Sequence, residues 1–112
     1  GQSTKAMKNL AILYYEKGQK ENSLIYYKQL VDGYNMYEEA YNTGMICNQL
    51  KQKEEALKYF GISYEKANNK NALYYLGVIN YDLGKMELAK KYLKMAEKNG
   101  DEAAKLMLEG ME

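Results

Sequence analysis

Proline, tryptophan and histidine are absent from the 112 residues, cysteine and phenylalanine occur once each, and neither sign of charge predominates. Without proline, nothing in the chain forces a helix to break, so long helical stretches are allowed. Without histidine, the chain lacks the usual acid–base group near neutral pH and the commonest metal ligand. Cys47 is the sole cysteine, which excludes an internal disulfide or a cysteine-based metal site. Inside an apolar helical pattern such a residue reads as a small core side chain. No apolar run approaches the ~20 residues that cross a bilayer, and no signal-peptide pattern opens the chain. No membrane contact and a cytoplasmic location are therefore expected. Lys plus Arg number 16 against 15 for Asp plus Glu, a net charge of +1. A phosphate-binding surface carries a marked basic excess, so nucleic acid is not an expected partner.

What is present is ordinary globular usage with one bias. Apolar residues make up 46% and charged residues 28%, which argues against disorder, and the length suits a single domain over residues 1–112. The bias is toward tyrosine, with 13 copies. Those copies are not scattered.

A step of 33 residues brings Ala11, Gly44, Gly77 and Gly110 into one column and Tyr26, Tyr59 and Tyr92 into another. Ser23, Ala56 and Ala89 align at the same step, as do Leu13, Ile46 and Ile79, and then Tyr27, Phe60 and Leu93. Each column keeps a size class as well as a hydropathy. Within a repeat, apolar residues recur at steps of three and four, which places each set on one helix face. The pattern predicts helices near 4–17, 20–33, 37–50, 53–67, 70–83, 86–98 and 102–112. Gly18 and Gly84 fall at helix ends, where a left-handed residue turns the chain back; Lys51 holds that place in the middle repeat. Small residues on paired helices, Gly44 with Ala56 and Gly77 with Ala89, are expected to let two backbones approach. Tyr27, Phe60 and Leu93 are expected to fill the space one turn further on.

Catalytic chemistry finds no footing. Nucleophilic catalysis needs a nucleophile beside an activating base, and Cys47 lies on a core column. The acidic pairs Glu38-Glu39, Glu54-Glu55 and Asp101-Glu102 diverge by about 100° on a helix and read as solvated faces. Glu54–Lys58 and Glu87–Lys91 stand at the spacing that supports a helix. No glycine-rich phosphate loop occurs, because the glycines recur by repeat. No enzyme activity, cofactor or metal is expected.

These columns resemble the tetratricopeptide repeat. The third repeat carries the resemblance in Leu73, Leu76-Gly77, Tyr81, Gly84, Ala89, Leu93 and Ala96, and the second in Gly44, Phe60 and Glu54-Glu55-Ala56-Leu57. The first carries it more loosely, in Leu10-Ala11, Tyr14-Tyr15, Gly18, Ser23 and Tyr27. The period is one residue short of the usual length and the repeat-ending proline is missing. Residues 95–104 also resemble the related Sel1-type repeat. Ankyrin shares the period, but its Thr-Pro-Leu-His signature is lacking. The resemblance implies an all-α fold: a right-handed α-solenoid of antiparallel helix pairs, with repeats at about 4–36, 37–69 and 70–102 and a capping helix at 103–112. It also implies that the first helix of each pair lines a concave groove. The inward columns would then hold Lys8, Ile12 and Tyr15, then Tyr41, Asn42, Met45 and Asn48, then Tyr74, Tyr75, Val78 and Tyr81. Tyrosine, asparagine and methionine suit a peptide groove, whereas Tyr14, Tyr26, Tyr27, Tyr59 and Tyr92 are assigned to core or convex packing.

Some members of that family grip a C-terminal carboxylate with several basic residues and asparagine. Lys8 and Asn42 match that arrangement, but Ile12, Asn71 and Tyr75 stand where the other polar groups belong, so no such clamp is expected. The expected function is a scaffold that binds a protein or peptide in the groove, as a monomer. The alternatives are weak self-association through the chain ends, near Met107, and a docking domain of a larger protein.

Overall fold

A computed structural model describes residues 3–111. Its helices are α1 (Thr4–Glu16), α2 (Lys20–Lys28), α3 (Ala40–Gln49), α4 (Lys53–Ala67), α5 (Ala72–Asp82), α6 (Met86–Lys98) and α7 (Glu102–Met111). Each predicted helix is present with ends within two or three residues of those expected, apart from a wider turn that closes the second and a tighter one that opens the third. Residue 112, the predicted end of the last helix, lies outside the described residues. The helices pack in consecutive pairs, α1 with α2, α3 with α4 and α5 with α6, and α7 closes on α6. The stack measures 51 × 25 × 20 Å, the elongated form of a helical-repeat solenoid.

Helix ends repeat as faithfully as the core columns. After α1, Gly18 adopts φ +79° and the Gln19 amide donates to the Tyr14 carbonyl at 2.9 Å. After α5, Gly84 does the same at φ +79°, with Lys85 donating to Asn80 at 2.8 Å. Lys51 holds the identical left-handed turn at φ +65°, and Gln52 donates to Cys47 at 2.9 Å. A lysine there bears the Cβ penalty that glycine avoids. At the N-terminus, Ser3 caps α1 by accepting from the Ala6 amide at 3.1 Å.

Two boundaries differ from expectation for local reasons. The last turn of the second helix widens to a π-helical turn over Gln29–Gly33, followed by Asn35 at φ +55° and a 3-10 turn at Tyr37–Glu39 that opens α3. The widened turn still buries Leu30 and Val31. Before α5, the Asn69 side chain accepts from the Asn71 amide at 3.0 Å, a local bond that competes with the helix and delays its start to Ala72.

Small residues act at closer range than the one-turn spacing expected. A Cβ on Gly44 would stand 3.0 Å from the Phe60 ring, and one on Gly77 would stand 2.6 Å from Leu93 Cγ. The large residue of the second helix therefore sits directly on the glycine of the first. In the first pair, Ala11 is fully buried and its carbonyl accepts from the Ser23 hydroxyl at 2.6 Å. One core runs from Met7 in α1 to Ile79 in α5, and a second joins Leu73, Leu93, Ala96 and Ala104 beneath α7.

Candidate functional site

A cavity of about 250 Å³ opens between α1 and α3, the first helices of successive pairs. Tyr15 contributes one side, Tyr41, Asn42 and Met45 the other, and Tyr27 reaches in from α2. Of these five, Tyr15, Tyr41, Asn42 and Met45 are groove residues of the repeat pattern, and the last three share one face of α3. The Tyr15 hydroxyl donates to Gln49 Oε1 at 3.1 Å, which bridges α1 to α3 at the rim. Burial pushes the Tyr27 hydroxyl pKa up, and the Glu39 carboxylate nearby adds to it. Burial and then Tyr75 do the same for Tyr41. Both phenols therefore stay neutral near pH 7, and no side chain lining the cavity is a charged type.

Lys8 lies nearby but is already engaged. Its Nζ meets Glu39 Oε2 at 3.0 Å, and Glu39 is 3% exposed. That hydrogen bond, then the charge of Glu39, raises the Lys8 pKa. A buried carboxylate needs its cation, so Lys8 serves the junction between the first two pairs.

The remaining groove residues fall into different settings. Tyr75 stacks on Phe60, with ring centroids 5.0 Å apart and planes 8° apart, and so forms part of the packing between the second and third pairs. Tyr74 meets Tyr75 edge-on at 5.4 Å and packs toward the second core. Val78 and Asn48 are half-buried, while Ile12 and Tyr81 are exposed. Three cavity residues were missed by the sequence reading: Tyr27, Ile46 and Gln49. Gln49 was within reach of it, four residues after Met45 on the same helical face. Tyr27 is buried as expected, yet its ring also forms cavity wall.

Other chemistry is sparse. Burial pushes the Cys47 thiol up to about 11, which leaves it protonated and unreactive. Among the described residues, no group of three or more Cys, Asp or Glu is placed to hold a metal ion. No described helix is long and apolar enough to cross a membrane.

Paired antiparallel helices, a large side chain seated on each small one and a left-handed turn at a fixed place define the class: an all-α helical-repeat solenoid. The profile of the tetratricopeptide repeat matches residues 5–34 and 71–99, more than half of the chain. The chain belongs to the tetratricopeptide repeat family, whose repeats generally mediate protein–protein interactions. The two matched segments contain the first and third helix pairs; the middle pair, which carries Lys51 in place of glycine, lies between them. The match is to the tetratricopeptide repeat and lends no weight to a Sel1-type assignment. No curated protein matches the chain.

Proposed function

We propose that the chain is a protein-interaction scaffold, not a catalyst, and that it holds a peptide or partner segment along the face made by α1, α3 and α5. In this reading residues 4–36, 37–69 and 70–102 are three repeats and 103–112 closes the stack. The observation that carries the reading is the cavity between α1 and α3. Four of its lining residues, Tyr15, Tyr41, Asn42 and Met45, are ones the repeat pattern assigns to the groove. Tyrosine brings a large apolar face with little rotamer freedom to lose. The Asn42 and Gln49 amides can pair with a peptide backbone. Since Lys8 is bound to Glu39, a carboxylate clamp does not form part of the proposal.

The test is the double variant Tyr15→Ala with Met45→Ala, studied by co-purification from the native source and by thermal melting. Lost partners with an almost unchanged melt are expected. Retained partners would sink the reading, and so would a collapsed melt, which would make these residues core.

Self-association is a second reading with one observation in its favour. Leu106 on α7 is a large apolar side chain that is 67% exposed. Light scattering over a concentration series decides: a monomer at high concentration removes this reading.

A further inference from the structure

The step that relates the repeats lets the second junction serve as a template for the first. Thirty-three residues carry Tyr27 onto Phe60, Tyr41 onto Tyr74, and Asn42 onto Tyr75. At the second junction, the Tyr75 ring lies flat on Phe60 with centroids 5.0 Å apart. Tyr74 closes on it edge-on at 5.4 Å, and Tyr41 does so at 6.1 Å. By the same step Tyr27 takes the place of Phe60 and Tyr41 that of Tyr74 at the first junction, and both line the cavity there. Asn42, however, has no ring to lay between them, and the cavity of about 250 Å³ opens there. The fold fills this seat with its own aromatic side chain once and leaves it open once.

We propose that the open seat takes one aromatic side chain of a bound peptide, stacked on Tyr27 and met edge-on by Tyr41, as the anchor of the interaction. This rests on the groove reading above and specifies what the groove selects. Flat stacking and edge-on contact are the two arrangements that aromatic quadrupoles favour. The cavity wall holds phenols, amides, a thioether and an aliphatic chain, with no charge to pair a charged guest. Burial of an unpaired charge there would be costly, so Lys, Asp or Glu are excluded as anchors. The volume falls below the ~300–1,000 Å³ of sites that enclose whole small molecules, and suits a single side chain. At the rim, the hydroxyl of Tyr15 and the amides of Gln49 and Asn42 lie where the flanking peptide backbone would pass.

The probe is a displayed library of random peptides selected on the wild-type chain, with the enriched sequences resynthesised and titrated. Enriched peptides should share one Tyr, Phe or Trp. Its replacement by Ala should weaken binding by about tenfold or more, the loss typical of a buried aromatic anchor. Asn42→Tyr, which supplies the ring from within, should weaken the same peptides comparably. Because the chain contains no tryptophan, emission from a Trp-bearing peptide reports the seat directly and should shift to the blue on binding. Binders without a shared aromatic, or binders indifferent to its replacement, overturn the proposal. If Asn42→Tyr does not fold, the peptide replacement alone decides. Should binders lack the aromatic yet be lost on Tyr15→Ala with Met45→Ala, the groove stands and the anchor falls. A library that yields no binder, or only binders insensitive to every groove substitution, removes both.

Discussion

The junction between the first and second repeats is tied by polar side chains, whereas that between the second and third is closed by stacked rings. At the first, Lys8 meets Glu39 at 3.0 Å, Lys28 meets Glu55 at 2.8 Å, and the Tyr59 hydroxyl donates to Asp32 Oδ2 at 2.6 Å. At the second, Phe60, Tyr41, Tyr75 and Tyr74 form one aromatic group. The ion pair found there, Lys53 with Asp82 at 3.8 Å, is exposed on both sides and contributes little. One architecture therefore tolerates two chemistries, and the difference has a spatial consequence. Rings fill the space between successive first helices, while polar ties at the edges leave it open. In the proposal above, the filled junction is structural and the open one is where a partner would dock.

The largest expected effect breaks the filled junction. Phe60 is fully buried, touches Gly44 and stacks on Tyr75. Phe60→Ala should cost about 3–5 kcal/mol in a urea titration. Tyr27→Ala, the matching change at the open junction, should cost less, because Tyr27 already borders a cavity. Equal losses would erase the contrast.

The glycine column gives a finer comparison. Gly77→Ala forces a Cβ to within 2.6 Å of Leu93 Cγ and 3.3 Å of the Leu93 backbone nitrogen, and should cost roughly 1–3 kcal/mol by overpacking. For Gly44→Ala the nearest atoms are those of the Phe60 ring, at 3.0–3.1 Å, and the cost should be less. Gly110→Ala has nothing within 4 Å and should stabilise by about 0.5–1 kcal/mol through helix propensity. Melting curves of the three variants should fall in that order.

Alkaline titration isolates the polar junction. Burial first, then the bond to Asp32, pushes the Tyr59 hydroxyl well above its ordinary 10.0. The bond to Glu39 raises Lys8 above its ordinary 10.5. For both groups the folded pKa is the higher one, so their contribution is complete below the unfolded value and is lost as pH rises through the folded one. Stability should thus start to fall above about pH 10 as these groups titrate. Tyr59→Phe should cost about 1–2 kcal/mol at neutral pH and should make the alkaline fall shallower. An unchanged alkaline limb would show that Tyr59 ionises as freely in the fold as outside it.

The smallest expected effect is a gain. Lys51→Gly relieves a left-handed lysine at φ +65° and should raise stability by about 0.5–1 kcal/mol. A loss would mean that the Lys51 side chain, not its backbone, matters.

The helix pairs, the glycine-marked helix ends and the left-handed place at Lys51 were legible in the sequence, because period, size and turn chemistry all agree there. The site was legible only in part. Columns sort residues by size and hydropathy, and by that measure Tyr15, Tyr41 and Tyr75 look alike. Yet Tyr15 is exposed at a rim, Tyr41 lines a cavity, and Tyr75 is pressed against Phe60. Lys8 was read as a groove residue because its partner, Glu39, lies in the next repeat and was assigned to a solvated pair. Hydropathy says nothing of which polar residue will meet which. The π-helical turn at Gln29–Gly33 carries no periodic signature either.

The open seat itself is testable without any partner. Asn42→Tyr recreates at the first junction the ring that Tyr75 supplies at the second, and its thermal melt measures whether the seat accepts one. A ring stacked on Tyr27 should contribute on the order of 1 kcal/mol, which raises the melting temperature by roughly 4–8 °C in a chain of this size. A melting temperature that stays level or falls would contradict an aromatic seat between α1 and α3.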